Sequence, residues 1–140
     1  MPFHDSMVNF QEINKDSLDI LFFGSSHSFS TFNPEIIDKS LGTFSFNLGS
    51  ADQRMNVTNF LQKEVLKKAK PKLMVLEIFL GSLTHPESNK SKGFQLNVFD
   101  NTNHSINKLQ ILNKIYNFDE LPSVLSPLIR NHSKWDEVFN

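Results

Sequence analysis

Asp19-Ile20-Leu21-Phe22-Phe23-Gly24-Ser25-Ser26-His27-Ser28 is the stretch that decides the fold. Four apolar residues, Ile20 to Phe23, run without a polar break into a glycine and a cluster of hydroxyls. A short, wholly apolar run bounded by a turn signal reads as a strand buried on both faces, as in a parallel α/β sheet. Such sheets place ligands at the carboxyl ends of their strands, where small residues let a ligand approach the backbone. Gly24 to Ser28 stand at that end of the first strand, read here as Leu18 to Phe23.

Working outward, residues 1–18 hold scattered apolar positions without a clean period and read as an irregular lead-in with at most a helical turn or an edge strand. Gly24 to Phe32 reads as a Ser/Thr-rich loop. Asn33-Pro34-Glu35 opens a short helix, because Asn caps, Pro fits the first helical position and Glu favours the positive end of the dipole. Ile36, Ile37 and Leu41 make its expected buried side, and Gly42 is placed to stop it. Thr43 to Leu48 alternates Phe44, Phe46 and Leu48 with polar residues, the period of a second strand, and ends at Gly49-Ser50-Ala51-Asp52. Val57, Phe60, Leu61, Val65 and Ala69 predict a helix from about Asp52 to Ala69, closed by Pro71. Lys72 to Phe79 reads as a third buried strand, interrupted only by Glu77.

Strand, helix, strand, helix, strand at this spacing is the sequence form of right-handed βαβ units. The expectation is an α/β, flavodoxin-like three-layer fold with a parallel sheet in the order 2-1-3, over residues 18–80 of one domain spanning 1–140. Residues 81–105 read as a long surface excursion. Ile106 to Tyr116 reads as an amphipathic helix, and Asp119 as the cap of another from about Glu120 to Ile129, kinked by Pro122 and Pro127. Three strands fall short of the roughly five that cover the helices of such a fold, so the chain is expected to be truncated at its carboxyl end. Trp135, Val138 and Phe139 follow with no stop signal, and Trp135 and Phe139 read as residues that pack on the body rather than form a ligand platform.

Composition narrows the function classes. At 140 residues the chain can bury roughly two-thirds of its unfolded surface, and 14 Phe supply large core side chains. A net charge of −1 gives no electrostatic case for a nucleic-acid partner. Lys63, Lys67, Lys68, Lys70 and Lys72 fall largely on a helix that needs a solvated face. The absence of Cys excludes disulfides, thiolate nucleophiles and cysteine zinc sites. No apolar run approaches the roughly 18 residues of a membrane span, and no signal peptide is visible; the compartment stays open. His85, His104 and His132 lack metal-ligand spacing, so neither a metal nor another cofactor is expected.

The strand ends carry the chemistry. With the first strand central, Ser26 is expected at its carboxyl end with Gly49 opposite and the Glu77–Ser82 segment alongside. A serine at a helix start lies among oriented N–H groups, but its hydroxyl is a poor nucleophile until a base takes the proton. Phe23-Gly24-Ser25-Ser26-His27-Ser28 resembles the first block of SGNH/GDSL-type hydrolases, particularly their cell-envelope relatives, and Asn47-Leu48-Gly49 resembles the second. The resemblance implies Ser26 as nucleophile, the N–H groups of Ser26 and Gly49 as oxyanion donors, and an acylated carbohydrate or other envelope ester as substrate, for hydrolysis or acyl transfer. Ser25, His27 and Glu77 are candidate substrate contacts; the plainer readings are a helix cap, an exposed loop histidine, and an ion pair or sheet-edge solvation.

Two departures from that family stand out. Leu76-Glu77-Ile78-Phe79-Leu80-Gly81-Ser82 lacks the Asn of the third block, and no Asp-x-x-His occurs. Asp100 and His104 are one residue too far apart, and His132 precedes Asp136 in the wrong order. The chain by itself is therefore expected to be inactive. Two other classes stay open: a flavodoxin-like phosphate or nucleotide site in the same loop, and a non-catalytic binding or assembly module of the same fold.

Overall fold

The structure, a computed structural model, describes residues 3–84 and 89–132. The chain divides into two compact units, Met1–Asn103 and His104–Asn140. The first holds a three-stranded parallel sheet, β1 (Ile20–Phe23), β2 (Ser45–Asn47) and β3 (Leu73–Leu76), in the order β2-β1-β3. This is the expected α/β, flavodoxin-like arrangement with the first strand central. Ile20 pairs with Ser45 on one side and Leu73 on the other, and Phe22 with Asn47 and Val75. All four β1 residues are buried, Leu21 and Phe23 completely, because both faces of a central parallel strand are covered.

Helices α1 (Phe3–Glu12), α2 (Ser26–Thr31), α3 (Pro34–Leu41), α4 (Met55–Val65), α5 (Leu80–Thr84) and α6 (Asn89–Asp100) belong to this unit. The α3 ends are built as the sequence dictates. The Asn33 side chain accepts the N–H groups of Glu35 and Ile36, and Gly42 closes the helix at φ 65°. Its expected apolar side is not a core face, however, since Ile36 and Leu41 are both exposed. The core instead gathers Leu21, Phe23, Leu48, Val57, Leu61, Val98 and Phe99, all essentially without exposed surface. Phe60 of α4 meets Phe99 of α6 with ring centroids 5.4 Å apart, and Phe22 stacks on Phe32 at 4.8 Å.

Several expectations are corrected. Residues 3–12 are helical rather than irregular, with Met7 and Phe10 buried. Residues 26–31, read as loop, form α2. Residues 81–105, read as an excursion, contain parts of α5 and all of α6, where Val98 and Phe99 supply core. β3 is shorter than expected, and its exposed Leu73 and Met74 make it the less covered edge of the sheet.

The second unit contains α7 (Ile106–Ile115), α8 (Leu121–Leu125) and α9 (Pro127–Arg130). Ser105 caps α7, whose Ile111, Leu112 and Ile115 are buried. The expected proline-kinked helix is two helices. Ser126 ends α8 and caps α9, and Pro127 occupies the first turn of α9, where its missing N–H costs nothing. Among the described residues no helix is long and apolar enough to cross a membrane. Trp135, Val138 and Phe139 lie outside the described residues.

Candidate active site

The site grows from the point where β1 stops. Gly24 takes φ 148°, a conformation side chains rarely adopt, and turns the chain sharply into α2. Space demands glycine as well. A Cβ there would lie 2.6 Å from Glu77 Oε2 and 2.7 Å from Glu77 Cβ. What fills the place of that missing side chain is therefore a carboxylate from the end of β3.

Ser25 follows as the N-cap of α2 and is buried. Its backbone N–H donates to Glu77 Oε2 at 2.8 Å, and its hydroxyl donates to the same oxygen at 2.7 Å. The hydroxyl oxygen also accepts the His27 backbone N–H at 3.3 Å and lies 3.0 Å from His27 Nδ1. The His27 ring is exposed and stacks on Phe79, centroids 4.7 Å apart. Ser26, the first residue of α2, is half-buried, and its hydroxyl makes no hydrogen bond to any described residue.

Gly49 closes the other side. The parallel pairing continues past β2, with Leu48 N–H donating to Phe22 O at 2.9 Å and Ser50 N–H to Gly24 O at 3.1 Å. That carries Gly49 against the α2 turn, where a Cβ would lie 2.9 Å from Ser28 Cβ and 3.1 Å from Ser25 O. Asn47 ties the two loops together. Its amide donates to Ser28 O at 3.1 Å and to Phe32 O at 2.9 Å. Its Oδ1 accepts the Gly49 N–H at 2.9 Å and the Ser28 hydroxyl at 3.2 Å. The Gly49 N–H thus already has a neutral acceptor.

The loop after β2 is pinned from a third direction. Asp52, at φ 48°, faces the buried Arg54 at 3.2 Å and accepts from Ser91 of α6 at 2.5 Å. Arg54 also donates to Ser91 at 3.0 Å.

Ser25, Ser26, His27, Gly49 and Glu77 are accordingly brought to one end of the sheet. Ser28, Asn47 as a hydrogen-bonding hub, and Phe79 join them without having been singled out for these roles. Residues 77 and 79, two apart beyond β3, both reach the α2 turn, a spacing legible in the sequence only once the strand is placed. His85 and the Ser82 side chain lie outside the described residues. His104 belongs to the second unit, and His132 there pairs its Nδ1 with Ile129 O at 3.0 Å. A cavity of about 500 Å³ lies along β2, lined by Ile13, Phe29, Phe32, Phe44 and Phe46 among others, and neither Ser26 nor His27 lines it. Among the described residues no three His, Asp or Glu side chains gather as a metal-binding group.

No family model, curated protein or solved structure matches the chain.

Proposed function

We propose that this end of the sheet is the acyl-transfer site of an SGNH-like serine esterase or acyltransferase, with Ser26 as nucleophile and an acylated carbohydrate or related envelope ester as substrate. The observation that carries the reading is the contrast between neighbouring serines. Ser25 is buried with every hydrogen-bonding position of its hydroxyl taken, whereas Ser26 is half-buried with its hydroxyl unpartnered among the described residues. A nucleophile needs that freedom. The Ser26 N–H at the head of α2 is one oxyanion donor; the Gly49 N–H is the other, exchanging the neutral Asn47 amide oxygen for a charged and stronger acceptor.

Glu77 argues against the loop as a phosphate cradle. A bound phosphate would need the two Ser25 donors that Glu77 Oε2 occupies and would meet the carboxylate charge at contact distance.

A fluorophosphonate probe tests the reading. It is expected to label the chain at Ser26, as mapped by peptide mass, with labelling abolished in Ser26→Ala and a measurable fraction kept in Ser25→Ala. A chain that takes no label, or equal loss in both variants, refutes it and leaves the non-catalytic module as the better description.

A further inference from the structure

The geometry points to His27 as the proton-transfer residue of this site, with Ser25 and Glu77 as its positioning residues; the inference rests on the ester-chemistry reading of Ser26. It supplies the base for which the sequence offers no Asp-x-x-His.

The argument is a count of hydrogens. A serine hydroxyl has one proton to give and two lone pairs to receive with. Ser25 Oγ and Glu77 Oε2 lie 2.7 Å apart, a distance two oxygens hold only with a hydrogen between them. The carboxylate has none, so the Ser25 proton is the one that lies there. One Ser25 lone pair takes the His27 backbone N–H. The other faces His27 Nδ1 at 3.0 Å, and that contact needs a hydrogen which Ser25 has already spent. Nδ1 must supply it. The chain Nδ1–H→Ser25 Oγ–H→Glu77 therefore runs in one direction only.

Consequently Nδ1 keeps its proton, and Nε2 is the nitrogen whose lone pair is open. Nε2 has no hydrogen-bond partner among the described residues, and the ring is exposed. Phe79 stacked on the ring at 4.7 Å restrains its rotation. An oriented imidazole with a fixed tautomer, its inner nitrogen tied toward a carboxylate and its outer one free, is the arrangement acid–base chemistry requires.

Successive helical residues diverge by about 100°, so Ser26 and His27 do not face each other directly, and the transfer runs through one water. The Ser26 proton passes by that water to Nε2 as the Oγ–carbonyl carbon bond forms and the carbonyl π pair moves to oxygen. Collapse of the oxyanion breaks the ester C–O bond, and the leaving alkoxide takes the Nε2 proton, giving alcohol and acyl-Ser26. Water, or an acceptor alcohol in a transferase, then repeats the sequence in reverse.

The test has two arms on the full 140-residue chain. In ¹⁵N-histidine spectra, the His27 resonances, identified by their loss in His27→Gln, are expected to show Nδ1–H in the neutral ring. Ser25→Ala is expected to release the ring to the Nε2–H form that free histidine prefers. An Nε2–H ring in the unmutated protein overturns the inference without any variant. In the second arm, His27→Ala is expected to lower p-nitrophenyl acetate turnover roughly 10²–10⁴-fold, and added imidazole to restore part of it, which a merely structural role would not allow. Turnover in His27→Ala within about threefold of the parent, with Ser26→Ala inactive, overturns the role of His27 and leaves the ester reading standing. Turnover that survives Ser26→Ala, or a parent chain with none, removes the ester reading and the proton-transfer role with it.

Discussion

Replacing Gly24 with alanine is the sharpest test of how the site is held. Two costs add. At φ 148° an L-residue is strained, by about 1–3 kcal/mol for such a region. The new methyl would also meet Glu77 Oε2 at 2.6 Å and Glu77 Cβ at 2.7 Å, so Glu77 must withdraw. Withdrawal breaks both hydrogen bonds from Ser25; with Glu77 half-buried and partly resolvated, that adds about 1–2 kcal/mol. The sum is about 2–5 kcal/mol, a large part of the ~5–15 kcal/mol that holds a domain folded. At a urea dependence of about 2 kcal/mol/M, the unfolding midpoint followed by far-UV circular dichroism should fall by about 1–2.5 M. Gly42→Ala is the control, since Gly42 has φ 65° with no atom within 4 Å of an added Cβ. It carries only the backbone term of about 1–2 kcal/mol, a fall of about 0.5–1 M. If the two variants unfold at the same urea concentration, the close packing of Gly24 against Glu77 is not what holds the turn, and the reasoning fails.

Asn47→Ala removes two donors and one shared acceptor at once, and is expected to cost about 2–4 kcal/mol by urea unfolding; a loss under about 1 kcal/mol would mean water replaces the hub freely. Asp52→Ala withdraws the carboxylate facing buried Arg54 and should cost about 1–3 kcal/mol, the lower part of the range reflecting the partial exposure of Asp52, whereas an unchanged midpoint would show that the Arg54 contacts suffice without it. Asp19 has its carboxyl held below the ordinary 3.8, first by the hydrogen bond from Lys72 and then by the Phe44 N–H. Its contribution is present in full above 3.8 and is lost as the pH falls through the lower folded-state value, so Asp19→Asn should flatten the acid side of a melting-temperature profile below that point. An acid limb of equal steepness in Asp19→Asn would assign the loss to other carboxylates.

The sheet was legible because its signals are local. Ile20–Phe23 is apolar without interruption and ends on glycine, β2 alternates, and right-handed crossovers then put the first strand in the middle. Asn33, Pro34 and Gly42 announced α3 by capping chemistry alone. α2 was hidden because six residues dominated by Ser and Thr carry no apolar period, and its helical form rests on Ser25 capping it from outside. α6 was hidden because its Lys, Gly, Asn and Gln residues dilute the spacing of Phe94, Val98 and Phe99. At the site, Gly24, Ser26 and Gly49 could be placed from strand ends. The hydrogen-bond chain could not, because Ser25 and Glu77 are 52 residues apart and nothing local to either selects the other.

That separation of 52 residues also sets when the site can exist. A nascent chain makes Ser26 and His27 long before Glu77, and β1 can pair with β2 before β3 has been synthesised. Until β3 docks, Gly24 has no carboxylate beside it, the Ser25 N–H is left to water, and the histidine ring lacks its Phe79 partner. Closing so long a loop is slow relative to local helix formation and is repaid only by the contacts made on arrival. Docking of the third strand and ordering of the first-strand loop are therefore one event. The Ser25 amide proton records it, because the hydrogen bond that shields it from exchange with solvent is made to Glu77.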